Sequence, residues 1–180
     1  MRLILILILS LIVGCNVGIG QQRFFIERAS ISFFSDGVIE DIAAKNDKVT
    51  SIFDVHQGDI AYLLNVSDFQ FDKKLMQVHF NEKYMESEKY PKSSFQGKII
   101  GFDPSSSGIQ KVKAVGKLTI HGVTKEVEFP GTAEVRNNQL YLKSRFVVKL
   151  KDYNIKVPQI VWQNIAQQVE VTVDFNYRPL

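Results

Sequence analysis

The second half of this chain repeats with a period of two, and no feature constrains its fold more. From Lys111 to His121, the residues Val112, Ala114, Gly116, Leu118 and Ile120 alternate with Lys111, Lys113, Val115, Lys117, Thr119 and His121. From Leu140 to Lys151, Leu140, Leu142, Ser144, Phe146, Val148 and Leu150 alternate with a mostly charged or polar set. Val169, Val171, Val173, Phe175 and Tyr177 do the same against Gln168, Glu170, Thr172, Asp174 and Asn176. Side chains on a strand point to opposite faces in turn, so strict alternation places one face on an apolar interior and the other in water. A helix with this pattern would bury charge on every turn.

The first half carries the same signal in shorter pieces. Phe25, Ala29, Ile31 and Phe33 are expected on one face, as are Val49, Ser51, Phe53 and Val55, and again Ile60, Tyr62, Leu64 and Val66. Asn137-Asn138 suits the two left-handed positions of a tight hairpin. Asp103 to Gly108 reads as a loop, and His121-Gly122-Val123-Thr124 as a turn. The expected strands are 24–34, 38–44, 48–55, 59–66, 94–102, 111–121, 125–136, 139–150 and 167–177. They number about eight, or nine if 38–44 stands apart. A meander of this length closes on itself, because closure removes the edges that invite aggregation. The fold class expected is all-β: a single antiparallel barrel of about eight strands.

One segment breaks the period. Met76, Phe80 and Tyr84 lie four apart with Leu75 beside them, which predicts an amphipathic helix over 73–86. Asp72 is expected to cap it and Pro91 to end it. Such a helix covers one end of the barrel with Met76, Phe80 and Tyr84 turned inward. Pro158 to Ala166 is irregular and carries the single tryptophan, Trp162.

Residues 1–20 are expected to lie outside the fold, leaving 21–180 as the domain. Arg2 precedes an apolar run from Leu3 to Val13, too short to span a hydrocarbon core of about 30 Å and matched to a secretory signal. Two processing readings stand side by side. Gly18-Ile19-Gly20 suits cleavage before Gln21, whereas Ile12-Val13-Gly14-Cys15 suits a lipoprotein signal in which Cys15 is lipidated and anchors the domain to a membrane. Both place the domain outside the cytoplasm.

Composition narrows the chemistry. One cysteine excludes a disulfide framework. A net charge of +3 without a basic cluster gives no footprint for nucleic acid. No phosphate loop, nucleophile elbow or dinucleotide motif is present. His56, His79 and His121 sit in different segments without ligand spacing, so neither a metal nor a cofactor is expected. His79 is read as a helix-surface or cap-like residue, and His121, on the water face of its strand beside a turn, as a turn residue with a hydrogen bond to backbone. Glu82, Glu86 and Glu88 are read as a solvated helix end. A homodimer is left open by the sequence.

Thirteen phenylalanines and six tyrosines suit either a filled β core or an apolar ligand cavity. Small residues among large ones, such as Gly97 and Gly101 with Phe95, or Ala114 and Gly116 with Leu118, favour the cavity. The candidate lining is the inward set. Phe33 and Phe53 come from the early strands, and Met76, Phe80 and Tyr84 from the helix. Phe95, Ala114, Gly116, Leu118 and Phe129 come from the middle strands. Leu142, Phe146, Val148, Trp162, Val171, Val173 and Phe175 complete it.

Several separated motifs resemble one family. They are the stretch from Phe71 to Gly97, with Val78-His79-Phe80-Asn81 and Tyr90-Pro91-Lys92-Ser93-Ser94-Phe95, and the run Gly116-Lys117-Leu118-Thr119-Ile120-His121-Gly122-Val123-Thr124-Lys125. The opening Ile31-Ser32-Phe33-Phe34-Ser35 with Val49 to Val55 fits, as does the ending Asp152-Tyr153-Asn154-Ile155 through Val169-Glu170-Val171. Across 24–177 the chain resembles the YceI-like family. That resemblance implies a lipocalin-like barrel in the bacterial envelope, binding a polyisoprenoid or another long-chain lipid in its interior, with no catalytic residues to carry over. Three functions are weighed: an exported lipid carrier, an enzyme acting on such a lipid, and an envelope interaction module with a filled barrel.

Overall fold

The computed structural model describes residues 23–37, 40–157 and 167–179. The expected signal at 1–20, Cys15 and Trp162 lie outside the described residues. Ten strand segments build one closed antiparallel sheet: β1 (Arg23–Ser35), β2 (Ile42–Asn46), β3 (Thr50–Asp54), β4 (Asp59–Asn65), β5 (Gln70–Phe71), β6 (Lys92–Ile100), β7 (Gly108–Ile120), β8 (Val123–Arg136), β9 (Gln139–Lys149) and β10 (Gln168–Pro179). The pairing order is β10-β9-β8-β7-β6-β4-β3-β1-β2-β5, and β10 pairs β1 from Pro179 to Glu170 to close the ring.

The ten segments make eight staves. β2 and β3 both oppose β1, and the pairs Ile31–Asn46 and Phe25–Ile52 fall on one register. They are one strand interrupted at Asp47 to Val49. Asn46 holds the interruption: fully buried, it donates from its Nδ2 to the Asn65 carbonyl at 2.9 Å and accepts the Lys48 N–H at 2.8 Å. β4 and β5 are likewise two pieces of one stave, β4 on β3 and β5 on β2, separated by a short turn at Val66–Asp68. This explains why the alternation predicts both eight and nine strands.

The two tight hairpins follow from residues that accept positive φ. Asn137 and Asn138 sit at φ 52° and 60°, and His121 and Gly122 at 51° and 73°. The second hairpin is only two residues, so β8 starts at Val123 rather than Lys125. The inward faces of β3, β4, β7, β9 and β10 are those the alternation predicts. β1 departs from it: Phe25 is half exposed. A bulge at Glu27 inserts one residue between the pairs Ile26–Tyr177 and Arg28–Asn176. One extra residue reverses the facing, so Ile26 turns inward before it and Ala29 after it.

The helix is shorter than its sequence pattern predicts. α1 spans Lys74–His79 and continues as one wider turn, Phe80–Tyr84, closed by the Met85 N–H on the Phe80 carbonyl at 2.8 Å. Asp72 does not cap it; Lys73 occupies that position and offers no side-chain bond. Pro91 does not end it either. The chain leaves at Glu86 (φ 43°), and Pro91 lies beyond, its carbonyl accepting the Val66 N–H at 2.8 Å. The wide turn keeps Met76, Phe80, Tyr84 and Met85 on the barrel side while Leu75 faces water.

Candidate ligand-binding cavity

Along its axis the barrel has two different halves. At the end covered by α1, a cavity of about 350 Å³ lies between the inward faces of the staves. β1 contributes Ile31 and Phe33, β4 Tyr62 and Leu64, and β7 Leu118 and Ile120. β9 contributes Phe146 and Val148, and β10 Val169 and Val171. The α1 segment supplies the cover with Met76, His79, Phe80, Tyr84 and Met85, and Leu150 and Ile155 close one side. Four rings pack together in one wall. Phe33 stands 5.4 Å from Phe69, 5.9 Å from Phe71 and 5.5 Å from Phe80 between centroids, and Phe80 stands 5.0 Å from Phe71. These are ordinary separations for packed aromatic pairs.

Below the cavity the interior is filled. Tyr62 stacks on Phe95 at 5.7 Å and meets Phe175 edge-on at 5.7 Å. Phe146 stacks on Phe129 at 3.6 Å. Beneath this layer lies a void of about 50 Å³, among Ile60, Ile99, Val112, Ala114, Leu142 and Val173. Lower still, Phe53, Phe102 and Tyr177 pack together, and the Tyr177 hydroxyl shares a hydrogen bond with the Ser51 hydroxyl at 2.6 Å. Burial pushes the phenols of Tyr62 and Tyr177 far above their ordinary range, and raises that of Tyr84 more modestly.

Polar groups at the cavity are few. Ser35, Glu40, His79 and Ser93 border it. Glu40 is ion-paired with Lys73 across the rim. Ser35 differs: it is 3% exposed, and its hydroxyl has no hydrogen-bond partner. Among the described residues no group of three metal-ligating side chains comes together.

His121 is a turn residue with a hydrogen bond to the backbone, as the sequence predicts, but it does not face water. It is buried, its Nδ1 lies 3.1 Å from the Tyr153 carbonyl, and its Nε2 lies 3.0 Å from a Glu86 carboxylate oxygen. Its ring centroid is 4.3 Å from that of Tyr90. The left-handed backbone at His121 turns the side chain back into the barrel end. Glu86 stays exposed, as the sequence predicts, and also ties the end of the cover to the β7–β8 hairpin. His79, read as a surface residue, borders the cavity instead.

The sequence-derived lining divides by height. Phe33, Met76, Phe80, Tyr84, Leu118, Phe146, Val148 and Val171 stand around the large cavity. Phe95, Ala114, Phe129, Leu142, Val173 and Phe175 surround the small void one layer down, with Phe146 common to both. Phe53 lies deeper, in the solid end, and lines neither space. Gly116 lines neither, and it does not create room. It pairs with Gly97, and a Cβ on it would come within 2.3 Å of the Gln96 carbonyl oxygen. The glycines let β6 and β7 approach, and the Phe95 ring covers Gly97. Gly101 lies past β6 at φ 86°, outside the barrel wall. Tyr62, Leu64, Phe69, Phe71, Met85 and Ile155 belong to the cavity but are absent from the sequence-derived set. Tyr62 and Leu64 were within reach, because they share the inward face of β4.

The YceI-like domain model matches residues 26–177. The chain belongs to the YceI-like family. No curated protein matches it. A polyisoprenoid binding domain from Saccharophagus degradans, implicated in plant cell wall breakdown, superposes with a TM-score of 0.74 at 11% identity, over 87% of this chain and 98% of that one. BcnA of Burkholderia cenocepacia superposes at 0.70 with 17% identity, over 82% and 95%. The Campylobacter jejuni YceI protein does so at 0.56 with 16% identity, over 72% and 81%. At these identities the shared property is the YceI-like barrel itself.

Proposed function

We propose that this YceI-like protein is an exported lipid carrier. It holds the apolar tail of a polyisoprenoid, a quinone or a similar long-chain amphiphile in the barrel, for sequestration, storage or transport. The observation that carries this reading is the apolar chamber of about 350 Å³ under the α1 segment. Each methylene buried there contributes about 0.8 kcal/mol before the costs of ordering the chain. Affinity of this kind needs no polar motif, and the sequence has none. The polyisoprenoid binding domain of the same fold supports a lipid as the ligand class. The role is binding, with no bond made or broken. Export rests on the apolar run behind Arg2. Lipidation of Cys15 would keep the barrel beside a membrane, and cleavage before Gln21 would release it.

The test is native mass spectrometry of the protein purified without detergent, then organic extraction. A discrete added mass that extracts as a long-chain lipid supports the carrier. A bare protein mass that persists after incubation with quinones, polyprenyl phosphates and fatty acids refutes it.

A further inference from the structure

The chamber has a floor and a rim, and together they define a length. Its floor is the layer of Tyr62 and Phe146, the two side chains that border both the large cavity and the small void behind it. Both rings are packed against other rings. Tyr62 is held between Phe95 and Phe175, and Phe146 lies flat on Phe129. The rim is marked by Ser35, two residues beyond Phe33 on the same face of β1 and therefore about 7 Å further along the strand. A hydroxyl buried to this degree without a partner is an unmet donor and acceptor. It borders the cavity, where a ligand can meet it.

We propose that Tyr62 and Phe146 act as a ruler, limiting the buried tail to about twelve carbons, and that Ser35 hydrogen-bonds the ligand's polar head. The length follows from the volume: at about 30 Å³ for a water-sized group, a chamber of about 350 Å³ holds roughly twelve. The ligand class is a single-tailed amphiphile with a hydroxyl, carbonyl or carboxyl head. A longer tail leaves its excess outside the barrel. This rests on the carrier reading and adds a limit to it.

The experiment is calorimetric titration of the delipidated full domain with straight-chain primary alcohols of about six to about sixteen carbons. Affinity is expected to rise about fourfold per methylene and to level off near twelve. In Phe146→Ala the break moves upward, by about two carbons from the void behind the ring alone and further from the space the ring vacates. Phe146→Leu serves if the alanine variant does not fold. Ser35→Ala lowers affinity roughly fivefold at every length and leaves the break in place. A rise that continues through the longest alcohol overturns the ruler while leaving the carrier intact. A break that stays put in a folded Phe146 variant overturns it too. An unchanged affinity in Ser35→Ala overturns the head-group contact. Absence of binding at every length removes the carrier reading itself, and the ruler with it.

Discussion

Gly116→Ala separates two opposite physical effects by sign. Neither Gly97 nor Gly116 has a positive φ, so alanine fits the backbone conformation at both. Entropy alone then predicts a gain of about 0.4–1 kcal/mol, because alanine restricts the unfolded chain. The packing predicts a loss. A Cβ on Gly116 would stand 2.3 Å from the Gln96 carbonyl oxygen and 2.5 Å from the Gly97 Cα, and one on Gly97 would stand 2.2 Å from the Val115 carbonyl oxygen. These are backbone atoms of a paired strand and have no flexible end to move aside. Overpacking costs about 1–3 kcal/mol where side chains yield, so a clash with fixed backbone belongs at about 3 kcal/mol. For a chain of this size that corresponds to about 6–12 °C in Tm. The assay is urea denaturation followed by tryptophan and tyrosine fluorescence, with unchanged m and a lower midpoint expected. Gly108→Ala is the control. Nothing stands within 4 Å of its Cβ position, but its φ is 83°. It should lose only about 1–2 kcal/mol, from backbone strain. A Gly116→Ala protein as stable as the parent, or more stable, would refute the close approach of β6 and β7.

Three further outcomes are expected. The folded phenols of Tyr62 and Tyr177 ionise well above the unfolded value of about 10, so their stabilising effect is complete below that pH and is lost as pH rises from there through the higher folded value. Tyrosinate absorbance should show them titrating only with unfolding; six tyrosines ionising reversibly near pH 10 in the folded protein would contradict their burial. The Ser105 and Ser106 hydroxyls hold Asp103 below its ordinary range. Its contribution is therefore present above the unfolded carboxyl value and lost as pH falls through the folded one, and Asp103→Asn should flatten the acid limb of the urea midpoint. His121→Ala should cost about 2–4 kcal/mol, because it removes a buried ring and its hydrogen bond to the Tyr153 carbonyl, which is left unmatched; a loss below about 0.5 kcal/mol would mean that these contacts do not stabilise the fold.

The alternation makes the fold legible because a strand has only two faces. Leu140, Leu142, Phe146 and Val148 are inward for the same reason in the sequence and in the structure. What alternation does not contain is height along the barrel axis. Height depends on the stagger between neighbouring strands, and the stagger depends on bulges and kinks such as those at Glu27 and Asn46. Phe33 and Phe53 therefore look equivalent in the sequence, yet one lines the chamber and the other lies in the solid end. The same limit applies to Gly116. A small inward residue signals either room or a close approach, and only the distance to Gln96 decides between them. His121 is illegible for another reason, since a left-handed turn residue no longer obeys the facing of its strand.

The division into a solid half and a hollow half has an energetic consequence. The chamber of about 350 Å³ is open rather than sealed, so its apolar lining lacks packing partners without carrying the full cost of an enclosed cavity. The YceI-like barrel sustains that lack because the lower half is packed with rings from Phe95 down to Tyr177. A few larger side chains at Leu118, Val148 or Val171 would fill the space and leave a more stable protein that holds nothing. On the carrier reading, an entering tail supplies the missing contacts, and the barrel is most stable when occupied. Its stability should then depend on ligand concentration by mass action. A filled-barrel module would lack that linkage, and this separates the two functions without any need to know the ligand.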